Sequence, residues 1–299
     1  SPFDTDDTVN DEGCALSQFD SDSDTITDYA EIVTYGTDPN DADSDNDGYN
    51  DNDEITYSTD PNNSDSDNDS LTDYGENIDF EKLYASDGSE NGYFTYGAVA
   101  VYDDLAVVGK AFDNEGANSA GAVYVYRFDG STWNEEDKLM ASDASASAFF
   151  GYSVDVGDAL IVVGAVNDNE YGSDAGAVYV YRYNTLTSTW DKEAKLTGSE
   201  VASAFFGSSV SLDADLIAVG ASNENPSGVN SGAAYVYYYD GTTWVQEAHL
   251  VSSYGEAGDE FGYSVSLSED ILLVGADRED DGGTQSGSVY VYSYDDSSW

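Results

Sequence analysis

Residues 80–299 carry one pattern of apolar and polar positions four times. In each unit, alternating residues lead into a short, continuous apolar run that ends in Gly. A polar loop, the motif Gly-x-x-Tyr-Val-Tyr, a turn and a Trp follow. Alternation with a period of two predicts a half-buried strand, and a short apolar run predicts a strand buried on both faces. The apolar runs are residues 105–109, 160–164, 216–220 and 271–275, the motifs begin at Gly121, Gly176, Gly232 and Gly287, and the units close at Trp133, Trp190, Trp244 and Trp299.

The length of this unit, about 55 residues with about four strands, predicts a propeller or a stacked array. One four-stranded sheet cannot bury both of its faces, so neighbouring sheets have to stack. A β-solenoid is the alternative, but its repeat is usually shorter. We expect the repeats to span residues 80–133, 134–190, 191–244 and 245–299.

The two ends of the array each predict an unpaired strand. Inside the array, the Tyr-Val-Tyr strand turns at Trp and returns as a charged strand that ends in Leu. The last unit stops at Trp299 before its return strand, while residues 80–83 form a return strand without a hairpin partner. Because exposed edges invite pairing, three arrangements stay open. Residues 80–83 close a four-bladed ring within the chain, they add to blade four of another copy as a head-to-tail fibre, or further blades complete the ring.

Residues 1–79 have a different composition and form a separate acidic segment in this prediction. Residues 1–80 hold 25 of the 61 acidic residues and no Lys or Arg. So acidic a segment, with few apolar residues, buries too little surface to offset the entropy of the chain. It is either a disordered acidic linker or a segment that cations order.

The acids of this segment follow a regular spacing that favours the second alternative. Three twelve-residue loops place carboxylates at positions 1, 3, 5, 9 and 12, which is the ligand spacing of an EF-hand-type calcium loop. Position 7 contributes a backbone carbonyl in such loops. We therefore expect calcium ligands at Asp20, Asp22, Asp24, Ile26, Asp28 and Glu31 in the first loop, at Asp43, Asp45, Asp47, Tyr49, Asp51 and Glu54 in the second, and at Asp65, Asp67, Asp69, Leu71, Asp73 and Glu76 in the third.

The short period of these loops excludes full EF-hands, because no room remains for a helix on each side. We expect one or two helical turns after each loop and turns at the two Thr-Asp-Pro-Asn sequences. Only the second loop has Gly at position 6, Gly48, whereas Thr25 and Ser70 predict strained turns. The pattern resembles thrombospondin type 3 calcium repeats over residues 18–79. This resemblance implies a compact spacer in which calcium takes the place of a core, so that chelation unfolds it.

The repeats of residues 80–299 resemble FG-GAP repeats, which build the β-propeller of integrin α-subunits and of many secreted microbial proteins. The resemblance rests on Phe-Gly at Phe150, Phe206 and Phe261, on Val-Gly-Ala in three units, and on Gly-x-x-Tyr-Val-Tyr. It implies an all-β fold, a β-propeller-type array of four four-stranded blades behind a loop-rich calcium-binding segment, and seven blades are usual in that family. The first unit departs from the pattern, with Lys110 in place of Ala and no proper Phe-Gly pair. Some members bind calcium in the loop after Gly-Ala, but no such loop here keeps the full ligand spacing.

Charge and composition exclude several functions. The formal net charge of −53 excludes a nucleic-acid binder that works through a basic surface. No apolar run has the length of a membrane-spanning helix. With one His, His249, and one Cys, Cys14, neither a Cys/His zinc cluster nor an intrachain disulfide can form. We read His249 as a variant of the Lys that other units carry on the same strand.

The sequence therefore predicts an extracellular or cell-surface, calcium-binding structural or adhesion protein that is not an enzyme. Its partner is another protein or another copy of itself. Two alternatives stay open. One is a subunit of an extracellular filament that assembles by strand addition. The other is an accessory module of a secreted hydrolase that binds polysaccharide or surface glycans.

Overall fold

The computed structural model describes residues 19–66, 72–76, 82–88, 93–95, 98–199, 202–295 and 297–299. Residues 1–82 and 83–299 form two separate compact units. The boundary that we predicted after residue 79 stays a prediction.

The described part of the first unit consists of loops, each followed by a short helical segment. Helix α1 (Asp28–Ala30) continues as one π-helical segment (Glu31–Tyr35), α2 spans Asp51–Tyr57, and α3 spans Asp73–Glu76. The side chains of Thr27 and Asn50 cap the first two helices by accepting from backbone N–H groups. These segments have the length that the loop spacing allows, and they place an acidic residue in each first turn.

The second unit is an array of antiparallel sheets, which we call blades 1 to 4. Within the residues that the structure describes, four strands follow one another in chain order in each of blades 1 to 3, and blade 4 has three. Blade 1 contains β1 (Val99–Tyr102), β2 (Leu105–Lys110), β3 (Ala122–Phe128) and β4 (Trp133–Leu139). Blade 2 contains β5 (Phe150–Val156), β6 (Leu160–Ala165), β7 (Ala177–Asn184) and β8 (Thr189–Leu196). Blade 3 contains β9 (Phe206–Asp213), β10 (Leu216–Ala221), β11 (Ala233–Tyr239) and β12 (Trp244–Leu250), and blade 4 contains β13 (Phe261–Ser268), β14 (Ile271–Ala276) and β15 (Ser288–Ser293).

The charged return strands β4, β8 and β12 are hydrogen-bonded to the Tyr-Val-Tyr strands that precede them. Each therefore closes the blade of its own hairpin, and the sheets are offset from the repeat boundaries, which stay a prediction. Among the described residues of the segment 80–83, Lys82 and Leu83 belong to no strand, and no closed sheet forms. Ring closure by residues 80–83 stays a prediction, because residues 80 and 81 lie outside the described residues.

The core lies between consecutive blades. Each inner blade has a front face, which packs on the next blade, and a back face, which packs on the previous one. One apolar cluster joins the front of blade 1 to the back of blade 2, and two more join blade 2 to blade 3 and blade 3 to blade 4. Alternate residues of an inner strand therefore belong to two different clusters, one on each face of the blade. This confirms the stacked array that the sequence predicted.

The Phe-Gly turn forms the joint between blades. The N–H of Phe150 donates to the carbonyl of Ala120 in blade 1 at 2.9 Å, and Phe206 and Phe261 repeat this bond with the blades before them. A Cβ atom added to Gly109 would lie 2.0 Å from the carbonyl oxygen of Gly151. Glycine is therefore required where the two backbones meet.

Candidate metal centre

The first acidic loop brings three carboxylates to one point. Oxygens of Asp20, Asp22 and Asp24 all lie within 4.8 Å of one another. Backbone N–H groups of the loop hold these side chains in place: Ser23 donates to Asp20 at 2.7 Å, and Ile26 donates to Asp24 at 2.7 Å. Each bond uses one carboxylate oxygen, and the second oxygens of Asp22 and Asp24 are buried without a hydrogen-bond partner. The loop itself thus presents free oxygens to a common centre.

The second loop repeats this arrangement. Oxygens of Asp43, Asp45 and Asp47 lie within 4.8 Å of one another. The N–H of Asp47 donates to Asp43 at 3.1 Å, and Tyr49 donates to Asp47 at 2.8 Å. One oxygen of Asp45 is buried without a hydrogen-bond partner. Two successive repeats therefore form the same cluster, and in both the N–H at position 7 donates to the Asp at position 5.

The last residue of each of these loops supplies the most informative side chain. Glu31 and Glu54 lie in the helical segments, are 0% exposed, and have no hydrogen-bond partner on either carboxylate oxygen. Burial, together with the charges of Asp22 and Asp24, raises the pKa of Glu31 to about 7. Burial and the charge of Asp45 likewise raise the pKa of Glu54 to about 8. Two buried carboxylates without partners are costly unless a cation neutralises them.

The donor set fits a hard divalent cation. It consists of oxygen atoms alone, contributed by three Asp and one Glu, which could bind through both of its oxygens, as calcium sites require. A Cys or His ligand would favour zinc instead, and none occurs among the described residues of these loops. The residues at hand therefore fit calcium, which would compensate the buried charge.

Asp28, Asp51 and Asp73, at position 9, have a second contact that the sequence reasoning missed. Both oxygens of Asp51 accept from Ser44, from its N–H at 2.9 Å and from its hydroxyl at 2.8 Å. Ser21 and Ser66 make the same pair of bonds in the other repeats. The signal was present in the sequence as Ser at position 2 of every loop. These Asp residues brace the loop, and their role as calcium ligands stays a prediction.

The third loop is only partly described. Asp65 and Asp73 lie in the described residues, whereas Asp67, Asp69, Leu71 and the side chain of Glu76 lie outside them. The third repeat contacts the second one through the N–H of Tyr74, which donates to Asp47 at 2.8 Å. The carbonyl groups of Ile26 and Tyr49, which we expect at position 7, remain predictions.

The turns at position 6 differ as the sequence indicated. Gly48 has φ +113°, a conformation that glycine adopts without strain. Thr25 has φ +81°, where a β-branched side chain is strained. The ring of Tyr74 would lie only 3.1 Å from a side chain added at Gly48. Glycine therefore serves both the turn and the contact between repeats, while Ser70 lies outside the described residues.

In blades 1 to 3, a basic side chain on the return strand contacts an acidic residue of the polar loop. The ammonium of Lys195 lies 3.0 Å from the buried Asp168 and 2.6 Å from both Asp143 and Glu170. Lys138 has the equivalent place in blade 1. In blade 3, His249 lies 3.2 Å from the buried Glu224. His249 is thus a variant of the repeat lysine, in agreement with the sequence interpretation.

Comparisons with known proteins agree with both repeat types. The family model described as "FG-GAP repeat" matches residues 79–126, 133–181, 190–237 and 244–292. The model described as "Bacterial TSP3 repeat" matches residues 20–42 and 43–64, which hold the first two acidic loops. The resemblances drawn from the sequence are therefore confirmed.

Comparisons with individual proteins and solved structures do not narrow the function further. No curated protein matches the chain. The chain is similar to the crystal structure of the Saccharomyces cerevisiae Sqt1, at 13% identity and a TM-score of 0.38. The match covers 61% of this chain and 43% of that one, less than half of its length. Within the described residues, no helix is long and apolar enough to cross a membrane.

Proposed function

Because this chain belongs to the FG-GAP repeat family, we propose that it is an extracellular structural or adhesion protein whose N-terminal repeats are ordered by calcium. Both repeat families are typical of extracellular modules that bind proteins rather than catalyse reactions. Calcium at millimolar concentration outside cells matches the affinity of extracellular calcium modules, about 10⁻⁴ to 10⁻³ M. The blade array then supplies rigid loops for a protein partner.

The observation that carries this proposal is the pair of buried carboxylates without partners, Glu31 and Glu54. Each lies at the end of a loop whose Asp oxygens converge. Two carboxylates about 4 Å apart repel each other by roughly 4 kcal/mol at an effective dielectric of about 20. A bound cation reverses this repulsion. At a calcium concentration about a hundredfold above its dissociation constant, each ion adds about 2.7 kcal/mol to stability.

The residues assigned to calcium are the clustered Asp residues and the terminal Glu of each loop. When bound, the ion supplies the positive charge that fixes the loop, while Ser21 and Ser44 hold the backbone around it. Loss of the ion leaves the loops almost without a core, because Ile26 and Pro61 are the only apolar residues that are buried among the described residues of 19–76. Calcium therefore controls whether these repeats form a stiff segment.

A calorimetric calcium titration of the full chain tests the proposal. Glu54→Gln removes one negative ligand and should lower the affinity of one site by about tenfold or more, since hydrogen bonds of the amide do not replace the lost charge. Asp41→Asn removes the same charge from an exposed position and is the matched control. We expect the control to bind as the natural chain does. Equal affinity in Glu54→Gln and Asp41→Asn, or no calcium heat at all, would contradict the proposal.

A further inference from the structure

Asp47, in the second acidic loop, is bound by two different parts of the chain. One of its carboxylate oxygens accepts from the N–H of Tyr49 in the same loop at 2.8 Å. The other oxygen accepts from the N–H of Tyr74, also at 2.8 Å, and residue 74 lies 27 positions further along the chain. The side chain of Asp47 is therefore held in part by the third repeat, outside its own loop.

The first loop differs from the second in this contact. Asp24 has the position of Asp47 there, and one of its oxygens accepts from the N–H of Ile26 at 2.7 Å. Its other oxygen is buried and has no hydrogen-bond partner within the described residues. Asn52 of the second repeat has the position that Tyr74 has in the third, at position 10 of its loop. Support of a clustered Asp by the following repeat is thus particular to the second loop in this pair.

The ring of Tyr74 packs on the turn of the second loop. A Cβ atom added to Gly48 would lie 3.1 Å from this ring. The ring also packs edge-on against Tyr49, with 5.1 Å between the two ring centroids and an angle of 72° between the planes. Tyr49 in turn contacts Tyr57 of its own repeat, at 5.4 Å between centroids. Gly48 and Tyr49 are positions 6 and 7 of the loop, so the third repeat covers the segment whose carbonyl we expect to bind the ion.

The third repeat fixes the place of Tyr74 through the residue before it. Asp73 is 0% exposed, and both of its oxygens accept from Ser66, from the N–H at 2.8 Å and from the hydroxyl at 2.6 Å. The N–H of Asp73 donates to the carbonyl of Ser64 at 3.1 Å. Because Tyr74 follows Asp73 directly in α3, the fold of the third repeat determines where the N–H and the ring of Tyr74 lie.

These contacts support a cation site and do not compete with the ion. A carboxylate oxygen has two lone pairs, so each oxygen of Asp47 can accept one hydrogen bond and still bind a cation. The same loop ends in Glu54, whose two buried oxygens have no hydrogen-bond partner within the described residues. A ligand that is held before the ion arrives loses less conformational freedom on binding, and this preorganisation raises affinity. The contacts of Tyr74 therefore favour calcium binding in the second loop.

We propose that Tyr74 is a positioning residue for the calcium site of the second loop, so that the third repeat raises the calcium affinity of the repeat before it. By linkage, calcium in the second loop stabilises the contact with the third repeat by the same factor. Calcium in one repeat thereby helps to fix the next. The inference rests on the proposed calcium role of these loops, and it adds which part of the chain regulates one of the sites.

Calorimetric calcium titrations of the full chain test the proposal. Tyr74→Ala removes the ring from Gly48 and Tyr49 and should weaken calcium binding in the second loop by about two- to tenfold, the range that one aromatic pair contributes. Tyr74→Phe keeps the ring and the backbone N–H and should bind calcium as the natural chain does. Tyr171→Ala removes an exposed Tyr from a blade loop and is the matched control, which should leave every calcium site unchanged.

Two backgrounds, each with one weakened loop, identify the site on which Tyr74 acts. In Glu31→Gln the second loop is intact, so adding Tyr74→Ala should weaken calcium binding there as it does in the natural chain. In Glu54→Gln the second loop is already weakened, so adding Tyr74→Ala should change the remaining calcium binding by less than about twofold. An equal loss in both backgrounds would show that Tyr74 does not act on the second loop, and it would overturn the proposal.

The remaining outcomes separate this inference from the proposed calcium role. Circular dichroism in saturating calcium should be the same for Tyr74→Ala and the natural chain, because the substitution changes the affinity and not the bound structure. Unchanged calcium affinity in Tyr74→Ala, or an equal loss in Tyr74→Phe, would refute the role of the Tyr74 ring and leave the calcium role intact. A natural chain that gives no calcium heat would refute both.

Discussion

Substitution of Gly220 tests the joint between blades directly, because Gly275 holds the same position in the next repeat and serves as the control. In Gly220→Ala the new methyl group would lie 1.9 Å from the carbonyl oxygen of Gly262 and 2.3 Å from the hydroxyl of Ser209. In Gly275→Ala the methyl group would meet the hydroxyl of Ser264 at 2.4 Å, and the nearest carbonyl oxygen, that of Ser264 in the same blade, would lie at an ordinary contact distance of 3.7 Å. A serine hydroxyl can rotate away, whereas the carbonyl belongs to the backbone of the next blade. The two variants thus differ in the joint between blades.

The destabilisation that Gly220→Ala causes can be estimated from these distances. Cβ atoms almost never lie closer than 3.0 Å to another heavy atom, so the carbonyl oxygen of Gly262 has to retreat by about 1 Å. Such overpacking costs about 1 to 3 kcal/mol. For a unit of this size, 1 kcal/mol lowers Tm by about 2 to 4 °C. Gly220→Ala should therefore unfold about 2 to 12 °C below Gly275→Ala.

The assay is thermal unfolding followed by circular dichroism, in calcium and at a concentration where the chain is monomeric. Equal Tm values for the two variants would show that the close approach at Gly262 does not hold blades 3 and 4 together, and the stated origin of the glycine requirement would be wrong.

Three further predictions concern polar contacts. Lys195→Met should destabilise the array by about 3 to 5 kcal/mol in chemical denaturation, because the buried Asp168 loses its base, and adding Asp168→Asn should restore much of the loss. Burial acts to raise the pKa of Asp143, but hydrogen bonds from Lys195 and a Tyr lower it. The stabilisation by the Asp143 carboxylate is therefore present above about pH 4 and lost as the pH falls further. In an acid titration, Asp143→Asn should lose stability less steeply than the natural chain does. Ser44→Ala removes one hydroxyl bond to Asp51 and should weaken calcium binding in the second loop by about fivefold in calorimetry, since such a bond contributes about 1 kcal/mol.

Much of the array was predictable because period and burial are linked in a sheet. The apolar run at 160–164 forms β6, which is buried on both faces, and the Trp hairpins pair as expected. The run at 271–275 also forms a strand, but the prediction that both of its faces are buried was wrong, because Ile271 and Leu273 are exposed. The equivalence of repeats also predicted the three strands that the described residues of blade 4 form. What the pattern could not show is which face of each blade stays exposed, since Val236 and Val291 look alike in the sequence and differ only in what covers them.

The acidic loops show the same limit at the level of single side chains. Spacing predicted that the Asp residues converge, because alternate positions of a tight loop point to one centre. It did not predict that Ser44 holds Asp51, because position 9 reads as a ligand in the loop pattern. The contacts between basic residues of the return strands and acids of the blade loops were also missed. Lys195 and Asp168 are far apart in sequence and meet only through strand pairing.

Amide hydrogen exchange with and without calcium tests the central claim most directly, because it reports on both units of the full chain at once. We expect residues 19–66 to gain strong protection when calcium is added and to lose it on chelation. The blade strands serve as the internal reference and should keep their protection in both conditions. Protection of residues 19–66 that stays the same without calcium would show that the loops hold their structure without a metal, and it would contradict the account.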